Sequence, residues 1–206
     1  MIVIIDYGVG NLGSIQNMLK RIGYASISSN NLEDIGRATK LILPGVGAFD
    51  EGMARLRTTG LVPLLNHRVI DEGVPVLGIC LGMQLLTRGS EEGEAKEPGL
   101  GWIQADTRRF RTDESLGLRI PHMGWAFVDF DAHGPLAHNM PQDARFYFVH
   151  SYHPVCDEPT DVFITATYGY RFVAGIHRRN IYGVQFHPEK SHKFGMQLLE
   201  NFIERV

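Results

Sequence analysis

The chain has 206 residues, 44% hydrophobic and 21% charged, which is enough for one well-buried core and short for two, so a single domain over residues 1–206 is expected. A net charge of −3 offers no basic surface to nucleic acid or an anionic membrane, and two cysteines, Cys80 and Cys156, are too few for a disulfide framework and suit a reducing compartment. The opening Met1-Ile-Val-Ile-Ile-Asp6 has neither the basic start of a secretion signal nor the roughly 18 apolar residues of a membrane span, which points to the cytoplasm.

Residues 2–5 form the continuous apolar run expected of a strand buried on both faces. Asp6-Tyr-Gly-Val-Gly10 turns the chain, and Leu12, Ile15, Met18, Leu19 and Ile22 recur at helical spacing until Gly23 stops the helix. Residues 24–28 and 41–43 supply two more strands, giving β-α-β-α-β. Pro44-Gly-Val-Gly47 reads as a loop after the third strand, and Leu61, Leu64 and Leu65 mark the next helix with Pro63 in its first turn. Val76-Leu-Gly-Ile79 is the fourth strand. Units of this length predict an α/β fold with a parallel, doubly wound sheet and ligands at the carboxyl ends of its strands. Beyond Arg88, the residues Glu91, Glu92, Glu94, Lys96 and Glu97, set among Gly93, Pro98 and Gly99, read as a solvated loop. Residues 101–131 break into short strand-like pieces. Residues 145–149, 161–167 and 181–185 read as strands, and Phe194, Leu198, Leu199, Phe202 and Val206 share one face of a last helix.

Chemistry concentrates where the fourth strand runs into Gly78-Ile-Cys80-Leu-Gly82. A nucleophile on a sharp strand-to-helix turn needs small residues two before and two after it, and this segment puts a thiol in that seat. The following helix start favours the thiolate, and the N–H of Leu81 is aimed at an oxyanion formed beside the sulfur. A thiol nucleophile needs a base, and the base needs an orienting group. Among nine histidines, His187 in Gln185-Phe-His187-Pro-Glu189 stands out, because an extended chain would put Glu189 on the same side as the imidazole. No metal is expected, since neither Glu189 nor His192 makes a helical ligand pair with His187. Gly8-Val-Gly10-Asn-Leu-Gly13 matches a dinucleotide fingerprint, but no acidic residue closes the second strand, and no cofactor is expected.

The segments Asp6-Tyr-Gly-Val-Gly-Asn11, Pro44-Gly-Val-Gly-Ala48, Gly78-Ile-Cys-Leu-Gly-Met-Gln84, Pro121-His-Met-Gly-Trp125, Phe148-Val-His-Ser-Tyr152 and Gly183-Val-Gln-Phe-His-Pro-Glu-Lys190 resemble, in order and spacing, the glutaminase subunits of imidazole glycerol phosphate synthase, within the class I (triad) glutamine amidotransferases. The resemblance implies a flavodoxin-like, three-layer α/β/α fold and hydrolysis of glutamine to glutamate and ammonia. The ammonia would pass to a (β/α)8-barrel cyclase, forming a heterodimer that makes imidazole glycerol phosphate and AICAR in histidine biosynthesis. It implies Cys80 as nucleophile, His187 as acid and base, and Glu189 as its orienter. Leu81 with Val46 and Gly47 would form the oxyanion hole, and Gln84, Ser151 and Tyr152 would hold the substrate. Asn11, Trp125, Tyr147 and Lys190 would line the partner interface. One departure stands out: the family usually carries Asn directly after Gly-Trp, and this chain has Ala126. That leaves open a paralogous ammonia-supplying subunit serving another synthase, for example one making an amino or amidino sugar.

Overall fold

The computed structural model describes residues 1–93, 97–111, 117–131 and 134–206, so the expected loop residues Glu94 and Lys96 lie outside the described set. In chain order the first half comprises β1 (Ile2–Ile5), α1 (Leu12–Arg21), β2 (Ser26–Ser29), α2 (Leu32–Gly36), β3 (Lys40–Gly45), α3 (Phe49–Thr58), α4 (Val62–Asn66), β4 (Val76–Cys80) and α5 (Leu81–Leu85). The second half comprises β5 (Gly89–Ser90), β6 (Ala105–Arg109), β7 (His122–Phe130), β8 (Arg145–His150), β9 (Tyr152–Cys156), β10 (Val162–Tyr168), β11 (Tyr170–Arg178), β12 (Ile181–Val184) and α6 (His192–Arg205).

Alternation along β1 explains the layering. Ile2 and Ile4 point into one core with Ile15 and Leu19 of α1 and Leu198, Leu199 and Phe202 of α6. Val3 and Ile5 point into the other, with Ile35 of α2, Phe49, Met53 and Leu56 of α3 and Leu65 of α4. Strands apolar on both faces need helices on both sides, and the result is the expected three-layer α/β/α arrangement. The main sheet runs β2-β1-β3-β4-β12-β11-β10-β7-β8, and a small sheet runs β5-β6-β9. The first five strands of the main sheet are parallel, in the order of a flavodoxin-like sheet. The other four are antiparallel, an extension of the sheet that the repeating β-α units of the first half do not predict.

Glycines hid two elements from the sequence pattern. Gly52 interrupts the helical signal of α3, yet a Cβ there would come within 2.9 Å of Leu81 Cδ2, so the glycine lets α3 lie against the turn after β4. Gly175 looks like a breaker inside β11, but a Cβ there would meet Ile164 of β10 at 2.8 Å. It marks close approach of a neighbouring strand. Among the described residues, no helix is long and apolar enough to cross a membrane.

Candidate active site

β4 delivers Cys80 to the carboxyl edge of the parallel strands, between β3 and β12. Its φ is 55°, in the left-handed region where a side chain is strained, and it turns the chain directly into α5. The flanking glycines are steric necessities. A Cβ at Gly82 would lie 1.8 Å from the Leu43 carbonyl oxygen, and one at Gly78 would lie 2.8 Å from the backbone of Gly82 and Met83. α5 has only five residues, so the Leu81 N–H beside the sulfur matters more than any macrodipole.

The candidate base, His187, arrives from the neighbouring strand. After β12 the chain continues through Gln185 and Phe186, and His187 N donates to Tyr147 O of β8 at 2.9 Å. Ser191 locks this segment: its hydroxyl donates to His187 O at 2.6 Å and accepts from Tyr147 N at 3.0 Å. The extended chain expected after His187 is instead a 3-10 turn over Pro188–Lys190. That curl brings the Glu189 carboxylate to 2.8 Å from His187 Nδ1, with both side chains almost wholly buried, at 1% and 2% exposed. Burial, the largest single influence, pushes His187 down, but its interactions with Cys80 and Glu189 prevail and carry its pKa up to about 10. Glu189 Oε2 and His187 Nε2 are buried without a hydrogen-bond partner, and such orphans concentrate at sites built for chemistry.

These groups open onto a cavity of about 370 Å³. Cys80, Leu81, His187, Val46, Gly47, Gln84, Ser151 and Tyr152 all line it, so residues from four separate segments converge there. Glu189 stands behind His187, held by the imidazole. Sequence reasoning missed Glu92, which it assigned to a solvated loop. Its carboxylate lines the cavity and accepts from the first helical N–H of α3, at Phe49, at 2.9 Å. Burial raises its pKa, against the opposing pull of that N–H. Nothing in a run of glutamates singles out the one that folds inward.

Of the expected interface residues, Trp125, Tyr147 and Lys190 lie close together. Trp125 and Tyr147 meet edge to face at 6.3 Å, and Lys190 Nζ lies 5.6 Å from the Tyr147 ring centroid. His192 stacks on Trp125 at 5.5 Å, and Arg145 lies over its ring at 5.9 Å. Asn11 occupies the N-cap position of α1, the helix that packs on the Pro188–Lys190 turn. Along β7, Met123, Trp125 and Phe127 are 62%, 44% and 64% exposed, a period-two apolar stripe that sequence reading recognised only at Trp125. Ala126 belongs to the opposite, inward face of β7, opposite Phe146 of β8, so the family's missing amide is not part of that stripe. Gly8 and Gly10 of the fingerprint-like segment serve the turn after β1, with φ 86° and 115°, and a Cβ on Gly10 would lie 3.2 Å from the Pro44 ring, whereas Gly13 sits inside α1.

The family model for class-I glutamine amidotransferases matches residues 3–206. The chain is 53% identical over 206 residues to the imidazole glycerol phosphate synthase subunit HisH 2 of Methanococcus maripaludis, with 100% of both chains covered. It is equally identical, over the same extent and coverage, to the HisH 2 subunit of Pseudomonas aeruginosa. In fold it is similar to the structure of PurLQS from Thermotoga maritima, with a TM-score of 0.73 at 17% identity, covering 98% of this chain and 96% of that one. By its sequence over its whole length, the chain belongs to the class-I glutamine amidotransferase family, among the HisH subunits of imidazole glycerol phosphate synthase.

Proposed function

We propose that this chain is the glutaminase subunit of an imidazole glycerol phosphate synthase, hydrolysing glutamine to glutamate and ammonia with Cys80 as nucleophile, His187 as acid and base, and Glu189 as the orienter of His187. The Cys80 sulfur attacks the side-chain amide carbon of glutamine, and the tetrahedral oxyanion is met by the N–H of Leu81 and by backbone N–H groups of the Val46-Gly47 segment. His187, held protonated by Glu189, gives its proton to the departing nitrogen. With ammonia gone, the imidazole takes a proton from water, which attacks the thioester and releases glutamate. Gln84 and Glu92 suit the substrate's α-ammonium, and the backbone at Ser151 and Tyr152 its carboxylate. Ammonia leaves toward the cluster of Trp125, Tyr147 and Lys190, which with Asn11 faces a (β/α)8-barrel cyclase in a heterodimer of the cytoplasm. The whole reading is confined to one domain and uses no cofactor.

The observation that carries this is the His187–Glu189 pair buried beside a cysteine held at φ 55°. The test is glutamate release by the purified chain, alone and with a barrel cyclase holding its nucleotide ligand, with Cys80→Ala as control. Release that depends on Cys80 and rises with the loaded cyclase supports both reaction and partner; release indifferent to Cys80→Ala overturns the triad. A second reading rests on Ala126 and on the two 53% relatives, each of which carries the number 2 in its name. It makes this chain an ammonia supplier for a different acceptor synthase. Complementation of a histidine auxotroph lacking its own glutaminase subunit separates the two, because only the first restores growth.

A further inference from the structure

Gln185 lies two residues before His187, fully buried at the end of β12, and none of the roles above uses it. Its carboxamide bridges the nucleophile and a substrate-facing residue. Gln84 donates through Nε2 to Gln185 Oε1 at 3.1 Å and to the Tyr152 carbonyl at 3.3 Å. A carbonyl only accepts, so the Gln84 amide nitrogen must face Tyr152. That choice fixes Gln185 in turn: its oxygen must face Gln84, since two NH2 groups cannot bond each other. The NH2 of Gln185 is thereby aimed at Cys80, with Nε2 at 3.8 Å from Sγ. The Tyr152 carbonyl that starts this chain is also held from behind by His150, whose Nδ1 lies 2.7 Å away.

We propose that Gln185 is a positioning residue that donates an N–H to the Cys80 sulfur while holding the carboxamide of Gln84 turned toward the substrate. This rests on Cys80 as the nucleophile. The two halves of the Gln185 amide then have separate tasks. The nitrogen stabilises negative charge on sulfur and keeps it in line for attack. The oxygen takes one of the two N–H groups of Gln84, whose own Oε1 makes no hydrogen bond among the described residues and is left to receive the substrate's ammonium.

Three variants of the full chain separate these tasks. Gln185→Met removes both halves at similar volume, Gln185→Glu keeps the acceptor for Gln84 and removes the NH2, and Cys80→Ala reports on the reading beneath. Two readouts are taken: the rate of Cys80 alkylation by iodoacetamide, followed by peptide mass spectrometry to exclude Cys156, and steady-state glutamate release in the presence of the cyclase. Loss of a hydrogen bond to a charged partner predicts that both Gln185 variants alkylate about ten- to a hundredfold more slowly and lose kcat to a similar degree. The KM for glutamine is expected to rise in Gln185→Met and to stay near wild type in Gln185→Glu. Should Gln185→Met not fold, judged by its thermal melt, the alkylation rate of Gln185→Glu alone decides. Wild-type alkylation in the folded variants, with Cys80→Ala inactive, overturns the role of Gln185. Activity that persists in Cys80→Ala overturns the glutaminase reading itself.

Discussion

His187 and His150 line one cavity and are almost equally hidden, at 2% and 6% exposed, yet their imidazoles are driven in opposite directions. His187 rises to about 10, whereas burial brings His150 down to about 3. The difference lies in their partners. The Nδ1 of His187 meets a carboxylate, and that of His150 meets the Tyr152 carbonyl. Because that carbonyl takes the Nδ1 proton, the Nε2 of a neutral His150 is bare and accepts from His122 Nδ1 at 3.1 Å. His122 in turn lies face to face with Tyr168 at 4.1 Å and falls to about 4, again through burial. His153, bonded to the Pro154 carbonyl and the Tyr170 hydroxyl, is also lowered by burial. Burial alone would neutralise all four rings; Cys80 and the buried Glu189 carboxylate together make His187 the exception.

The strongest way to break that contrast is to remove the carboxylate. Glu189→Gln leaves an acceptor for Nδ1 but no charge, so His187 should move down toward its neighbours and lose the proton that the proposed reaction gives to ammonia. Glutamate release with the cyclase present is expected to fall about a hundred- to ten-thousandfold. A fall of less than about tenfold would mean that Glu189 does not set the charge of His187. The same variant has a stability signature. A raised native pKa makes His187 stabilising below the ordinary imidazole value, an advantage lost as pH climbs from there to about 10. Denaturant titrations between pH 7 and 10 should therefore show a shallower alkaline decline in Glu189→Gln than in the wild type.

The two histidine environments were unequally legible in the sequence. The His187 site can be read because its requirements are local: glycines flank Cys80 at fixed offsets, and Glu189 follows His187 by two residues, although the bond forms through a turn and not an extended chain. The parallel strands are legible for a similar reason, since burial on both faces forces continuous apolar runs. His122 and His150 are 28 residues apart, and only the antiparallel pairing of β7 with β8 brings them opposite each other. No periodicity announces that. Gln185 sits inside the motif that carries His187, but its role depends on Gln84, 101 residues away. Glu92 is masked by the charges around it, and α3 and β11 by glycines that permit close packing. The grouping of Trp125, Tyr147 and Lys190 came from family resemblance, since an aromatic or a lysine at these positions carries no signal of its own.

On the neutral side of the contrast, the sign of the pH dependence reverses. His122, His150 and His153 stay uncharged in the fold while their unfolded counterparts protonate near the ordinary value, so the unfolded state binds more protons and stability falls as pH is lowered. Each such histidine contributes a loss of about 1.4 kcal/mol per pH unit below that value, until the pH reaches its folded value. Urea midpoints at pH 7, 6 and 5 should register a drop steeper than one histidine can give.

The smallest effect, and the one that isolates a single ring, belongs to His122→Phe. The phenyl ring keeps the stack on Tyr168 and Phe148 but leaves His150 Nε2 without its donor, a buried acceptor worth about 1–2 kcal/mol of lost stability at pH 7. Removing His122 also removes one group that must stay neutral in the fold, and that gain grows as pH falls. The two terms oppose each other, so the variant should be the weaker protein at pH 7 and should converge on the wild type near pH 5. A gap that stays constant from pH 7 to 5 would show that His122 is not held neutral in the fold. The contrast with His187 would then rest on His150 and His153 alone.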